Sequence, residues 1–385
     1  MKIVLISNFF NHHQKEVSDE LFRLTDGGYR FFATGKMSQM RKDLGWGIGF
    51  PDYVVEVGAA LDEERQREVD EADVVILGGR PYAFVQNRIK QGKITFLYTE
   101  RLFKKKVDLL RRIKALFVYR SRWKKKNTYL LCAGGFVSAD IQGNGCFRKK
   151  AYRWGYFPVF QSFGDGKGLW EKKQKNSLLW CARLIDWKHP EAAIEVAKRL
   201  RDDGYDFSLR MLGSGELDSA LQDKIEQENL QDYVRLTGSL TFEKVREEMK
   251  NSQIFLFTSD REEGWGAVLN ESMNAGMAVV SSHAIGATPV LIQDGENGLV
   301  YESGNVDELY EKLKCLLDDP AYAKELGEKA YLTIEKQWNG KEAARRLLCL
   351  IERLQAGKDT PFAEGPCSKA PLVRDGWYKE QRRKG

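Results

Sequence analysis

Short apolar runs alternate with segments of helical periodicity along most of the chain, and the alternation occurs in two series. That pattern leaves little choice of fold: parallel sheets covered by helices. In the first series Ile3 to Ser7, Tyr29 to Ala33, Tyr53 to Val57, Val74 to Leu77, Thr95 to Tyr98 and Tyr129 to Cys132 read as strands. Helices are expected near Gln14 to Leu24, Asp62 to Ala72 and Asp108 to Trp123. From about Trp154 to Lys175 the pattern gives way to clustered Gly155, Pro158, Gly164, Gly166 and Gly168 beside the polar run Glu171 to Lys175, the signature of a connection. The second series starts at Ser177 to Cys181 and continues with strands at Phe207 to Leu212, Val234 to Leu236, Ile254 to Phe257, Ala278 to Ser281 and Leu299 to Tyr301. Its helices are expected near Pro190 to Arg201, Leu217 to Glu228, Glu243 to Lys250, Ala267 to Asn274, Val306 to Leu317 and Glu342 to Leu354.

A chain of 385 residues can give each series its own core. The expected layout is α/β, with two Rossmann-like domains at 1–160 and 177–340, a linker at 161–176, and a C-terminal helix and tail at 341–385. With 42% hydrophobic and 30% charged residues the composition is that of a soluble globular protein, and no apolar run approaches the ~18 residues of a membrane span. Met1 to Asn8 has too short an apolar core for a signal peptide and reads as a first strand, which points to the cytoplasm. The six cysteines, Cys132, Cys146, Cys181, Cys315, Cys349 and Cys367, show no paired spacing, so neither a zinc site nor a disulfide framework is expected, and most read as buried thiols.

The net charge of +6 is unevenly spread. Between Arg101 and Lys126 stand Arg101, Lys104, Lys105, Lys106, Arg111, Arg112, Lys114, Arg120, Arg122, Lys124, Lys125 and Lys126 against one acid, Asp108, with apolar residues interleaved. Part of this segment fits a basic amphipathic helix able to lie on an anionic membrane, each nearby base contributing about 1 kcal/mol. A helix that buries its apolar stripe in its own domain has the same periodicity. A basic patch is also the footprint of a nucleic-acid binder, but no recognised nucleic-acid module accompanies it, and no nucleic-acid partner is expected.

Chemistry concentrates at Glu263-Gly264-Trp265-Gly266-Ala267-Val268-Leu269-Asn270-Glu271, between two strands. Two carboxylates flank a glycine turn that opens into a helix, where free amides and the helix dipole attract phosphate. Such a turn suits a ligand carrying both an anion and hydroxyls, and it sits at a strand-to-helix junction, where open α/β sheets bind ligands. Upstream, Trp180 to Pro190 reads as a strand end bearing Arg183 and Lys188, two fixed cations before a helix begun by Pro190. Met211-Leu212-Gly213-Ser214-Gly215-Glu216 is a strand followed by a Gly-x-Gly turn. In the first domain Ser7 to Gln14 puts His12 and His13 at a strand end, with one of the two expected to point inward because adjacent side chains at a helix start diverge.

These strings resemble the retaining glycosyltransferases of family 4. The match is Glu263, Gly264, Trp265, Gly266 and Glu271 for the Glu-Gly-aromatic-Gly element, Arg183 and Lys188 for Arg-Leu-x-x-x-Lys, and Gly213 with Gly215 for the glycine turn. Trp265 stands where Phe is commoner. The resemblance implies the GT-B fold, two Rossmann-like domains facing across a cleft, with the C-terminal helix often crossing back to the first. It implies a nucleotide-diphosphate sugar as donor. Glu263 and the amides of Gly264 to Ala267 would meet the sugar hydroxyls and the β-phosphate. Arg183 and Lys188 would neutralise the leaving diphosphate, Glu271 would accept from the ribose, and Arg235 to Gly238 would offer main chain to the base. His13, with His12 or Glu100, would face acceptor or diphosphate; Glu100 stands where many members carry a histidine. No nucleophile is nominated, and without an Asp-x-Asp pair no metal or other cofactor is expected.

The Asn8 to Gln14 string and Trp154 to Pro158 look like a subgroup that builds bacterial surface polysaccharides, which implies a glycan or lipid-linked acceptor. Alternatives are an epimerase or phosphorylase of the same fold, or a non-catalytic basic protein binding nucleotides or nucleic acid.

Overall fold

The computed structural model describes the chain except residues 44, 46, 80, 106, 107, 143, 144, 165, 167 and 383–385, so Lys106 of the basic segment lies outside the described residues. Contacts divide the chain into two compact units. The first is Met1–Val159 with Gln337–Arg374, and the second is Phe160–Lys336 with Asp375–Gly385.

The first unit runs β1 (Ile3–Ser7), α1 (His12–Leu24), β2 (Tyr29–Ala33), α2 (Gln39–Asp43), β3 (Val54–Glu56), α3 (Glu63–Glu71), β4 (Val74–Leu77), α4 (Gln86–Lys90), β5 (Ile94–Thr99), α5 (Leu109–Trp123), β6 (Thr128–Ala133), α6 (Val137–Gln142) and β7 (Ala151–Trp154). Its strands form one parallel sheet in the order β3-β2-β1-β4-β5-β6-β7. With helices on both faces, β4 and β6 are buried throughout, which is why these strands read as unbroken apolar runs rather than alternating ones.

The second unit contains β8 (Ser177–Cys181), α7 (Pro190–Asp202), β9 (Ser208–Leu212), α8 (Asp218–Gln227), β10 (Val234–Leu236), α9 (Phe242–Asn251), β11 (Ile254–Phe257), α10 (Ala267–Asn274), β12 (Ala278–Ser282), α11 (Thr288–Leu291), β13 (Leu299–Tyr301), α12 (Val306–Asp318) and α13 (Pro320–Lys336). Its sheet is again parallel, in the order β10-β9-β8-β11-β12-β13. Then α14 (Gly340–Gln355) packs on α1 in the first unit, where the Gly340 amide donates to the Glu16 carboxylate at 2.8 Å. Finally α15 (Trp377–Arg382) returns to the second unit, Tyr378 donating to the Val300 carbonyl at 2.7 Å.

In both sheets the strand order reverses once, between β1 and β4 and between β8 and β11. Loops leaving the carboxyl ends of strands at such a reversal diverge and open a crevice. The residues singled out above leave these ends: His12 and His13 follow β1, Arg183 and Lys188 follow β8, and Glu263 to Ala267 follow β11.

Three expectations need correction. First, α13 was not foreseen, although it spans 17 residues. Its buried face is built largely of Ala323, Gly327, Ala330 and Tyr331, so its apolar contrast is weak, and small residues are needed there because a Cβ on Gly327 would lie 2.4 Å from the Gly276 carbonyl. Second, β7 lies where the connection was expected to begin, pairing with β6 despite the charged Arg153 in its short run. Third, the cysteines are less buried than expected: Cys132, Cys146 and Cys367 are buried, Cys181 and Cys349 are partly covered, and Cys315 is exposed.

Candidate active site

The rim of the second sheet is assembled from four loops. Trp180 Nε1 donates to Thr258 Oγ1 at 2.8 Å, and that hydroxyl donates to the Lys188 carbonyl at 2.7 Å, a buried chain fixing the loop after β8 to the end of β11. The Asp260 amide donates to the Trp187 carbonyl at 3.1 Å, which ties the same two loops a second time. On the other side, the Leu184 amide donates to the Ser214 carbonyl at 3.2 Å, and the Gly213 amide to the Gly238 carbonyl at 3.0 Å. Gly213 and Gly215 are there because of this crowding: a Cβ would stand 1.8 Å from the Ala182 carbonyl oxygen at one and 2.1 Å from that of Leu184 at the other.

On that rim Lys188 Nζ forms an ion pair with Glu263, and only 11% and 13% of the two side chains is exposed. The ammonium also lies 4.3 Å from the centre of the Trp187 ring, and the Arg183 guanidinium, which is exposed, lies 6.0 Å from it. Ser259 Oγ donates to Glu263 at 3.4 Å. An ammonium has three donors, so pairing with one carboxylate leaves Lys188 able to take a second anion. Glu271 is half-buried on α10, and its charge reaches Cys181 at the end of β8. Burial first, then Glu271, pushes the Cys181 thiol up to about 12, while Lys188 opposes.

Gly266, at φ +94, caps the start of α10, its carbonyl accepting from the Leu269 amide at 3.0 Å, and the helix dipole favours an anion at this end. Gly264 is buried and Ala267 partly exposed on the same turn. Trp265 enters this turn through its main chain. Its indole is fully buried and donates to Asn270 Oδ1 at 2.9 Å, so the side chain packs under the turn and only its main chain belongs to the rim. A large ring is tolerated there because it can satisfy its N–H internally.

Sequence reasoning passed over His189, whose left-handed conformation (φ 49, ψ 52) starts α7. Its ring lies 3.0 Å from Glu191 and 3.5 Å from Asp260, and the Glu191 hydrogen bond, opposed by burial, raises its pKa. A pKa raised by folding adds stability that is complete below the unfolded value of about 6.5 and fades as pH rises through the folded value. Substituting His189→Gln should therefore lower Tm more at pH 5.5 than at pH 8.5. A uniform loss across that range would show that the ring acts through packing alone. The signal available in the sequence was the string Lys188-His189-Pro190, because a residue before proline is steered away from the right-handed helical region.

In the first unit Asn11 caps α1, its side chain accepting from the His13 amide at 2.9 Å, and the Phe157 amide donates to the His13 carbonyl at 3.2 Å. The expectation that the two histidine rings diverge is overturned. They meet edge to face with centroids 4.0 Å apart, His12 buried and His13 half-buried. In a first turn no earlier turn confines the rotamers, so neighbouring rings can fold onto one another. Beyond His13, Tyr156 lies 6.0 Å away ring to ring and donates to Glu100 at 2.9 Å, while Glu100 also pairs with Lys104. Glu100 and His13 thus belong to one polar cluster, with burial and the Glu100 charge pushing the Tyr98 phenol far above its usual range.

Residues 167–333 match the family model described as Glycosyl transferases group 1. Similar proteins include an uncharacterized glycosyltransferase of Methanocaldococcus jannaschii, 30% identical over 199 residues, which are 50% of this chain and 50% of that one. Another is the amylovoran biosynthesis glycosyltransferase AmsK of Erwinia amylovora, 31% identical over 182 residues, 46% of this chain and 44% of that one. The chain spans about half the length of the curated relatives it matches. The crystal structure of Anabaena Alr3699/HepE in complex with UDP superimposes with a TM-score of 0.67 at 14% identity, covering 92% of this chain and 100% of that one, so the two share the GT-B fold.

Proposed function

We propose that this chain is a retaining glycosyltransferase of family 4 that moves a hexose from a nucleotide-diphosphate sugar to a glycan or lipid-linked acceptor in surface polysaccharide biosynthesis. It would work in the cytoplasm, at the inner face of the membrane. The observation that carries the reading is the Lys188–Glu263 pair beside Arg183 on the same rim as the start of α10. Cations, a hydroxyl-binding carboxylate and helix amides together match a sugar diphosphate better than they match either part alone.

In this reading the β-phosphate rests on the amides of Gly264 to Ala267, and Glu263 accepts from the sugar hydroxyls. Gly213 and Gly215 let the diphosphate approach the main chain, and Glu271 accepts from the ribose diol. As the anomeric bond breaks, negative charge grows on the leaving diphosphate, where Arg183 and Lys188 stabilise it. The departing phosphate takes the acceptor proton on the same face, so the configuration is retained with no enzymatic nucleophile and no metal. His13 and its partners His12 and Glu100 are assigned to the acceptor.

The test is thermal stabilisation of the purified protein by nucleoside diphosphates and their sugars, with EDTA present throughout. UDP and UDP-sugars lead the panel because the HepE structure contains UDP. A ligand binding only the folded state raises Tm. One base should stand out, and Glu271→Ala should reduce its shift by weakening Kd roughly tenfold or more, the effect of a lost charged hydrogen bond. Consumption of the sugar nucleotide without any acceptor would favour an epimerase, and phosphate-dependent breakdown of a glycan a phosphorylase. No shift with any nucleotide would leave the basic binding protein as the better reading.

A further inference from the structure

The basic segment between Arg101 and Lys126 resolves into two parts. Arg101 is buried, 3.4 Å from Asp140 and 4.7 Å from the centre of the Phe136 ring, and Phe103 is buried as well, so the start of the segment belongs to the first unit's interior. Beyond it, α5 carries apolar side chains on two faces, one inward and one outward. It turns Trp123, Tyr119, Ala115 and Val118 toward its own unit. Its outward face carries Leu109, Leu110, Ile113 and Phe117, exposed by 71%, 80%, 54% and 68%.

At 3.6 residues per turn these four positions fall on one side of the helix. Arg112 lies along one edge of that stripe and Lys114 along the other, Arg120 continues the stripe's own line one turn on, and Lys124, Lys125 and Lys126 lie beyond the helix end. The single acid, Asp108, pairs with Arg111 at 3.2 Å. Large apolar side chains turned outward within a strongly basic surround are costly in water, and they match the chemistry of one surface: apolar acyl chains beneath anionic headgroups. No helix among the described residues is long and apolar enough to cross a membrane.

We infer that the outward face of α5 docks on an anionic lipid surface, with Leu109, Leu110, Ile113 and Phe117 entering the headgroup boundary and the flanking bases pairing with lipid phosphates. The inference deepens the proposed function by naming what holds the enzyme beside a lipid-linked acceptor, and it rests on that reading only for the choice of leaflet. A neutral protein surface would match the apolar stripe but not the bases, and a nucleic acid would match the bases but not the stripe. A second copy of this chain would face the first with like charge.

The test is sedimentation of the full chain with phosphatidylcholine vesicles, with and without phosphatidylglycerol. Binding is expected only with the anionic lipid, falling as salt rises. Leu110→Ser/Phe117→Ser should weaken it at least roughly tenfold, as expected for removing two inserted large apolar groups. Lys114→Gln/Lys125→Gln should weaken it by several-fold and flatten the salt dependence. Both pairs lie on the surface, and each variant is checked for an unchanged nucleotide-induced Tm shift, so failure of the docking surface and failure of the donor reading are separable. The inference is overturned if the apolar variant binds vesicles as well as the parent, if neutral vesicles bind equally, or if the stripe instead mediates salt-resistant self-association that the same variant abolishes.

Discussion

Lys188→Ala should lower kcat by about 10²- to 10³-fold, the loss typical of removing one preorganised group that faces developing charge. Donor affinity should change far less. In the resting site Lys188 already spends one donor on Glu263, and in the proposed reaction the diphosphate would demand most from it only as the anomeric bond breaks. The substitution also strands Glu263 in a site where only 13% of its side chain meets water. Removing one partner of a fully buried pair costs roughly 3–5 kcal/mol, and partial exposure brings the expected cost down to about 2 kcal/mol. The two consequences can be separated. Lys188→Met/Glu263→Gln removes the stranded charge and should recover most of the lost Tm without recovering turnover, whereas Lys188→Ala alone shows both losses. Steady-state kinetics with nucleotide Kd measured in parallel decides the matter. A fall in affinity that accounts for the whole loss of kcat/KM at normal kcat would remove the transition-state role and leave Lys188 as an ordinary phosphate contact.

What the residues announced in advance, and what they concealed, follows from the range over which each signal acts. Strands such as Val74–Leu77 and Ile254–Phe257 were legible because burial on both faces writes itself into consecutive apolar residues. The glycines at 213, 215 and 266 were legible because a tight strand-to-helix turn constrains residue type locally, as the 1.8 and 2.1 Å that a Cβ would have at the first two show. Pairings made across the sequence were not. Lys188 and Glu263 stand 75 positions apart and meet only because β8 and β11 are neighbours at the reversal of strand order. The same holds for Thr258, whose hydroxyl links Trp180 to the Lys188 carbonyl and reads in sequence as no more than the polar end of a strand. The surroundings of the Trp265 ring were not legible either. A motif position records which residue type is tolerated, and the indole is tolerated because Asn270 satisfies it from the core side. On α5, periodicity could say that a stripe exists but not which way it faces, because that depends on whether the sheet is covered by the stripe or by Ala115, Val118, Tyr119 and Trp123.

Gly213→Ala should be the most destabilising single methyl in the second unit. Two terms add. Gly213 has φ +136, a region that L side chains rarely adopt, at a cost of about 1–3 kcal/mol. The new Cβ would also stand 1.8 Å from the Ala182 carbonyl oxygen and 2.9 Å from its carbon, and these are main-chain atoms that cannot rotate away. Relief requires the ends of β8 and β9 to part by more than an ångström, which strains the Ala182-to-Leu212 and Gly213-to-Gly238 hydrogen bonds, now 3.1 and 3.0 Å. Overpacking of this kind adds roughly 1–3 kcal/mol, for a total near 4 kcal/mol. At about 2–4 °C per kcal/mol for a unit of this size, Tm should fall by roughly 10 °C. Gly304 supplies the control: it too has a left-handed backbone, φ +81, but no atom within 4 Å of the added Cβ, so Gly304→Ala isolates the backbone term at about 1 kcal/mol. The movement also displaces Arg183, the next residue along from Ala182, so nucleotide-induced stabilisation should be lost in Gly213→Ala and kept in Gly304→Ala. Equal, small Tm losses in the two variants would mean that the β8 and β9 ends yield freely, and the turn would then be no rigid platform for a diphosphate.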